Sequence, residues 1–283
     1  MKRAFLPLFF VLVCMAFSIT VRAQYPDVPL SRKAGFLPSD MNEIQAPFYE
    51  NLSYADWDLT YNRIHLLIDP AVFFLSGLVD VEFVSKVPQL SSVTIDLHSA
   101  LTVTSVESGA TPLAFTRQGH TLLISLPSAL GVGQKGSFSI AYEGVPANTG
   151  LGSIFQSQID NSTMAIATLS EPYGARDWWP CKQSLVDKID SIDIIVDTPS
   201  KYRTASNGVL VSDQINGTRR VCHWKHRHPI AAYLVFFSST TYDSFSTYAT
   251  LGDGTKVEIL NYVYPANSVT ARMQTAVTGD YIE

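Results

Sequence analysis

Two places in the sequence combine side-chain types and spacing that could do chemistry. The first is Cys222, His223, His226 and His228, four donors of the kind zinc prefers, close together in the chain. On a strand, however, Cys222, His226 and His228 face opposite to His223, and Trp224 and Pro229 crowd the group. No carboxylate lies within the segment, so it reads as strand histidines near a turn, and no metal site is predicted. The second place is Thr168 to Asp187, which holds two of the four tryptophans, Trp178 and Trp179, beside Glu171, Arg176, Asp177 and Cys181. A dense polar and aromatic loop between regular strands is where function concentrates. Elsewhere the sequence is silent. No His is followed by Glu, so the His-Glu-x-x-His helix that joins two imidazoles to a general base is absent. A Gly-x-Ser-x-Gly elbow and a phosphate-binding glycine loop are absent too. On residue chemistry alone the chain contains no catalytic residue and is not a complete enzyme.

The elements that must hold these residues read as strands. Ile64, Leu66 and Ile68 alternate on one side, Asp69-Pro70 and Ser76-Gly77 bracket a turn, and Val79, Val81 and Phe83 return as the second arm of a hairpin. Alternating segments follow at Val93 to Leu97, Leu101 to Val106, Leu113 to Phe115, Thr121 to Leu126 and Phe138 to Tyr142. Beyond the central loop come Ser191 to Asp197, Tyr202 to Val211, Arg219 to Lys225 and Ala231 to Ser239. Many short strands with no helix before residue 200 predict a mainly β fold, an antiparallel sandwich or saddle-shaped sheet. The Ser/Thr/Tyr/Gly-rich passage Thr240 to Gly254 is read as a boundary. After it, Val257 to Val263 is a strand, and Pro265 opens a helix on which Val269, Met273 and Val277 recur every fourth residue until Gly279 stops it. The chain then ends in what reads as the first turn of a new element, as a truncated reading frame would.

Composition sets the compartment. Lys2 and Arg3, the apolar run Ala4 to Thr20 and the small-residue exit Val21-Arg22-Ala23 predict a secretory signal peptide over residues 1–23, cut before Gln24, hence a secreted or periplasmic protein with no later membrane span. An apolar run of about 17 residues is at the short end for an anchor. The mature chain keeps 17 basic and 25 acidic residues, a net charge of −8, which makes nucleic acid an unsuited partner. Residues 24–50, rich in proline and without a sustained period, read as an extended leader on the surface. Cys181 and Cys222 are too few for a disulfide framework in an exported chain this long and are read as buried free thiols.

The central stretch carries a resemblance. Glu171-Pro172-Tyr173-Gly174-Ala175-Arg176, then Trp179-Pro180-Cys181 and Asp187-Lys188, resembles the signature Thr-Gln-x-Glu-Pro-x-x-Ala-Arg, aromatic-Pro-Cys, acidic-Lys of the N-terminal domain of M1-family zinc aminopeptidases. Ala205 to Leu210, His223-Trp224-Lys225, Pro229-Ile230-Ala231 and Tyr233-Leu234 are similar to the strands that follow in that family. The resemblance covers roughly residues 50–283, and several motifs agreeing in order make it specific. It implies a saddle-shaped β domain over residues 51–243, and over 244–283 the first strand and helix of a thermolysin-like catalytic domain, on the rest of which the β domain packs. The family's Gly-x-Met-Glu-Asn and zinc motifs would lie after Glu283, so zinc would belong to the full-length enzyme and none to this chain.

The resemblance also implies a role for Glu171: its carboxylate would hold the free α-ammonium of a peptide substrate, as a charge-assisted bond can. Leu169 stands where the family usually has Gln, so a polar contact to the first substrate side chain would become apolar. Arg176 and Asp177 read as an ion pair or backbone clamp that fixes the loop, and Trp178 and Trp179 as packing. Two rivals accompany this reading: a non-catalytic β-sandwich interaction module derived from the family, and a family member turned to another hydrolysis, such as that of a lipid epoxide.

Overall fold

The computed structural model describes residues 52–149 and 152–282. The expected signal peptide (1–23) and leader (24–50) lie outside them. After a 3-10 turn at Leu52–Asp56 come β1 (Trp57–Asp69), β2 (Val72–Ser85), β3 (Leu90–Asp96), β4 (Thr102–Ser108), β5 (Thr111–Pro112), β6 (Phe115–Gln118), β7 (Thr121–Leu130) and β8 (Lys135–Gly144). Then follow β9 (Ser153–Gln158), β10 (Met164–Leu169), β11 (Ser191–Pro199), β12 (Arg203–Ser206), β13 (Val209–Asn216), β14 (Arg219–His226), β15 (Phe237–Thr240), β16 (Asp243–Thr250) and β17 (Lys256–Val263). Two short helices close the described chain, α1 (Ser268–Gln274) and α2 (Thr278–Ile282). Among the described residues no helix is long and apolar enough to cross a membrane.

The strands form an eight-stranded sheet in the order β13-β14-β11-β1-β2-β8-β4-β5, a four-stranded sheet β12-β15-β10-β9, a three-stranded sheet β3-β7-β6 and the hairpin β16-β17. The fold is therefore mainly β, as the alternation predicts. Ile64, Leu66 and Ile68 of β1 and Val79, Val81 and Phe83 of β2 are all buried, and they share one core with Ile95, Ile124, Ile166 and Phe237 of the smaller sheets. Trp57 and Phe83 meet edge to face at 5.6 Å, and Phe83 lies 5.8 Å from Phe138.

The structure departs from the sequence reading in four particulars. The hairpin turns at Pro70-Ala71, and Ser76-Gly77 lie inside β2. Gly77 stands opposite Tyr142, whose ring fills the space a Cβ would need, so this glycine marks close packing and not a turn. One pairing is parallel: β1 runs alongside β11, Tyr61 beside Ser191 through Leu67 beside Asp197. A parallel neighbour requires a long crossover, and here it passes through both smaller sheets and the central loop. The passage from Thr240 is largely β16, paired along its length with β17, because Thr and Tyr are good strand residues whatever they suggest about a linker. Finally, α1 ends at Gln274 and Gly279 lies within α2, while Val269, Met273 and Val277 are exposed.

Candidate functional site

The loop that follows β10 is built from the inside outward. β10 lies between β15 and β9, with Leu169 beside Ser153 at its end. The chain then turns sharply: the Gly174 N–H donates to Ser170 O at 2.8 Å, and Ala175–Asp177 form a 3-10 turn. The Glu171–Pro172 peptide bond is cis. Gly174 sits on Ser153 so closely that a Cβ would collide with its side chain. Trp178 and Trp179 follow and are fully buried. The Trp178 indole N–H donates to Ser170 Oγ at 2.9 Å, its ring meets Phe237 edge to face at 5.4 Å, and its carbonyl accepts Tyr142 O–H at 2.9 Å. The two tryptophans are packing residues, as expected.

Of the two readings of Arg176 and Asp177, ion pair or backbone clamp, the structure shows the clamp. Asp177, at 0 % exposure, accepts both the N–H and the hydroxyl of Thr149 on Oδ2, at 2.9 and 2.5 Å. It is a backbone clamp. Arg176 contributes through its main chain, whose N–H donates to Gln183 Oε1 at 3.2 Å and whose carbonyl accepts His98 N–H at 2.8 Å. Further on, Cys181 exchanges two backbone bonds of 2.9 Å with Asp96, tying the loop to the three-stranded sheet. Lys182 is buried: its ammonium donates to the Tyr54 and Trp57 carbonyls at 2.8 and 2.6 Å, bonds Asp187, and lies 4.1 Å from the Trp57 ring centre. Burial pushes its pKa down and Asp187 opposes that. Sequence reading missed this lysine; the cue was a cation between an aromatic-Pro-Cys run and an acidic residue.

The two residues singled out for a substrate sit two positions apart at the end of β10. Leu169 is 40 % exposed, and Glu171 is half-buried with Oε2 screened from solvent and without a hydrogen-bond partner. The main chain of the loop is bonded at Gly174, Arg176, Asp177 and Cys181, yet this carboxylate oxygen is not, and Arg176 Nε, Asp177 Oδ1, Trp179 Nε1 and Gln183 Nε2 are likewise buried without partners. A buried polar atom is normally paired, so an unpaired one in a tightly built loop is a feature to explain. Beside it, Pro172, Ala175, Gln183, Leu185, Ala232 and Tyr233 bound a narrow crevice.

The structure adds one correction to the reading of the cysteine and histidine cluster, in which the His226 and His228 rings lie 5.9 Å apart. A carboxylate does reach it, from the neighbouring strand: His223 Nε2 lies 2.5 Å from Asp193 Oδ1, while Lys225 and Tyr61 O–H donate to Oδ2 at 2.5 and 2.6 Å. Burial alone would raise the Asp193 pKa, but these three partners hold it below the ordinary value. Among the described residues no group of three His, Cys, Asp or Glu side chains could hold a metal ion. Cys181 and Cys222 are free and buried, and burial pushes both thiols up, Cys222 to about 11.

With this geometry in view, comparison with known proteins is informative. A search of curated proteins finds no match. Among solved structures, the M1 zinc metallopeptidase from Deinococcus radiodurans is similar, at TM-score 0.65 and 20 % identity over 77 % of this chain and 52 % of the other. A mutant of it bound to a Tyr-Ser-Ala substrate gives the same values. A two-domain M1 zinc metallopeptidase mutant bound to L-arginine matches at TM-score 0.66, with 20 % identity over 77 % of this chain and 52 % of that one. The chain thus spans about half the length of the solved structures it matches, and at this identity they speak for the fold. The model of the Peptidase M1 N-terminal domain matches residues 53–234, from the start of the first sheet through the central loop and β14, and the chain belongs to that family.

Proposed function

We propose that this chain is the N-terminal portion of an exported M1-type zinc aminopeptidase, and that its central loop anchors the free amine of a peptide substrate through Glu171. The observation that carries the reading is the Glu171 Oε2 atom, screened from water and without a hydrogen-bond partner on a loop whose main chain is bonded at Gly174, Arg176, Asp177 and Cys181. A carboxylate so placed offers a charge-assisted bond to an ammonium, and a fixed anionic wall is what an enzyme needs to count one residue from a chain end. Leu169, exposed beside it, gives the first substrate side chain an apolar neighbour.

Zinc belongs to the complete enzyme, where it would polarise the scissile carbonyl or activate water. The resemblance places its ligands in the part of the enzyme beyond this chain, and among the described residues no set of metal ligands comes together. Residues 1–23 direct export to the periplasm or exterior, 24–50 form a leader, 51–243 the β domain, and 244–283 the opening of the catalytic domain on which the β domain packs. Exposed Leu185, Val186, Leu234 and Phe236 supply apolar surface for that packing.

The test uses the full-length gene product with its catalytic domain. Glu171→Gln keeps shape and a hydrogen bond but removes the charge. It should cost about 1.5–3 kcal/mol of transition-state binding, roughly ten- to a hundredfold in kcat/KM, on peptides with a free amino terminus. N-acetylated peptides, which lack the ammonium, should change little. Equal losses on both would return Glu171 to a structural role.

A further inference from the structure

We infer that Asp177 is the positioning residue for Glu171, acting through Thr149 and Ser153; the inference rests on the amine-anchoring reading above. Glu171 itself has no bond that fixes its loop. What fixes it is the unit formed by residues 170–178. The Gly174 N–H closes onto Ser170 O, the Asp177 N–H donates to Gly174 O at 3.1 Å, and the Trp178 indole N–H returns to Ser170 Oγ. This unit rests on Ser153. Gly174 touches the Ser153 side chain with no room for a Cβ, and Ser153 stands in register with Leu169. The Ser153 hydroxyl in turn donates to Thr149 O.

Asp177 closes the circuit. Its Oδ2 takes both donors of Thr149, so one carboxylate at the end of the loop holds the residue to which Ser153, the floor under the loop's middle, is bonded. The path from Asp177 to Thr149 to Ser153 to Gly174 ends three residues from Glu171, and every link is a bond or a close contact. A negative charge fully out of solvent is costly unless it is well paired, and here Oδ1 has no partner at all. An ordinary loop anchor would do as well with a neutral side chain. A carboxylate accepting two bonds on a single oxygen instead gives a short, charge-assisted and strongly directional hold. Positioning to within a fraction of an ångström is what a single amine anchor requires, because small displacements cost large factors in rate.

The experiment is steady-state kinetics of the full-length gene product with paired substrates, one free and one N-acetylated, for Asp177→Ala, Asp177→Asn and Thr149→Val, with Glu171→Gln alongside. Asp177→Ala should raise KM for the free-amine substrate about tenfold and leave the acetylated substrate within twofold. Asp177→Asn, which retains an acceptor for Thr149 but not the charge, should recover only part of that loss. Thr149→Val, which deletes one of the two donors, should give a smaller loss of the same selectivity, and it decides the matter if Asp177→Ala does not fold. Equal losses on both substrates, or a Thr149→Val enzyme with no selectivity change, would overturn the positioning role while a selective Glu171→Gln effect kept the amine anchor intact. If Glu171→Gln itself shows no selectivity, the anchor fails, and the positioning role with it.

Discussion

At the scale of single residues the central loop is stabilised by groups that sequence alone would place on the surface. Lys182 is the extreme case, a buried ammonium whose donors are spent on two carbonyls and Asp187. Lys182→Met preserves volume but leaves Asp187 and both carbonyls unpartnered, and breaking a buried pair on one side is strongly destabilising. A loss of about 3 kcal/mol is expected in urea unfolding of residues 24–283. His120 gives a second residue-level expectation. Its ring stacks on His98 at 4.1 Å and Nδ1 accepts the Ser99 N–H at 3.0 Å, which requires the neutral form. Burial, then His98, Arg176 and Arg117, push its pKa down to about 4, with Asp177 opposing. The unfolded imidazole titrates near 6.5. Between those values the unfolded chain binds the proton and the folded one does not, so this contribution is complete above about pH 6.5 and is lost as pH falls toward 4. The ring is partly open to water, so the screened effect is only about 1 kcal/mol. His120→Asn retains an acceptor but cannot titrate. Unfolding free energies at pH 7 and pH 4.5 should differ by less for this variant than for the parent.

Among the elements, the hairpin of β1 and β2 shows both what the sequence discloses and what it hides. Period-two alternation identifies Ile64, Leu66, Val79 and Phe83 as core because each strand has one buried face, a local property. Gly77 misleads because its reason lies on β8, where Tyr142 occupies the space over it. Adding a methyl there should force the ring aside, and Gly77→Ala is expected to cost about 1–3 kcal/mol as overpacking, read as a lower melting temperature with unchanged circular dichroism. A turn glycine would instead have tolerated the change or altered the strand content. The parallel pairing of β1 with β11 was equally illegible, since nothing in either segment encodes a partner more than a hundred residues away. The same holds for Asp193 and His223, which no local pattern joins. In the central loop, Glu171 is singled out by the ordered motifs around it, whereas the bond from Asp177 to Thr149 is not, because a short-range motif says nothing about which distant backbone a carboxylate will hold.

For the whole molecule the question is how chemistry is divided between this chain and the remainder of its relatives' length, of which it spans about half. The described residues build a carboxylate-bearing loop on a large β scaffold, and they bring no metal-ligand group together. The reason is geometric. Cys222 is buried on the inner face of β14 and its thiol is held protonated near neutral pH, while His223 faces the other way and is engaged by Asp193. Zinc needs deprotonated ligands converging on one point, and these diverge. Purified residues 24–283 should therefore bind no stoichiometric zinc in equilibrium dialysis and release no amino acid from a peptide. Folding should not depend on metal either, so a chelator should leave the unfolding midpoint unchanged. On the proposed function, the full-length gene product should bind zinc, and chelation should abolish any release of amino acids from peptides. Zinc retained by residues 24–283, or turnover that a chelator abolishes, would locate a metal centre in this half and overturn the division proposed here.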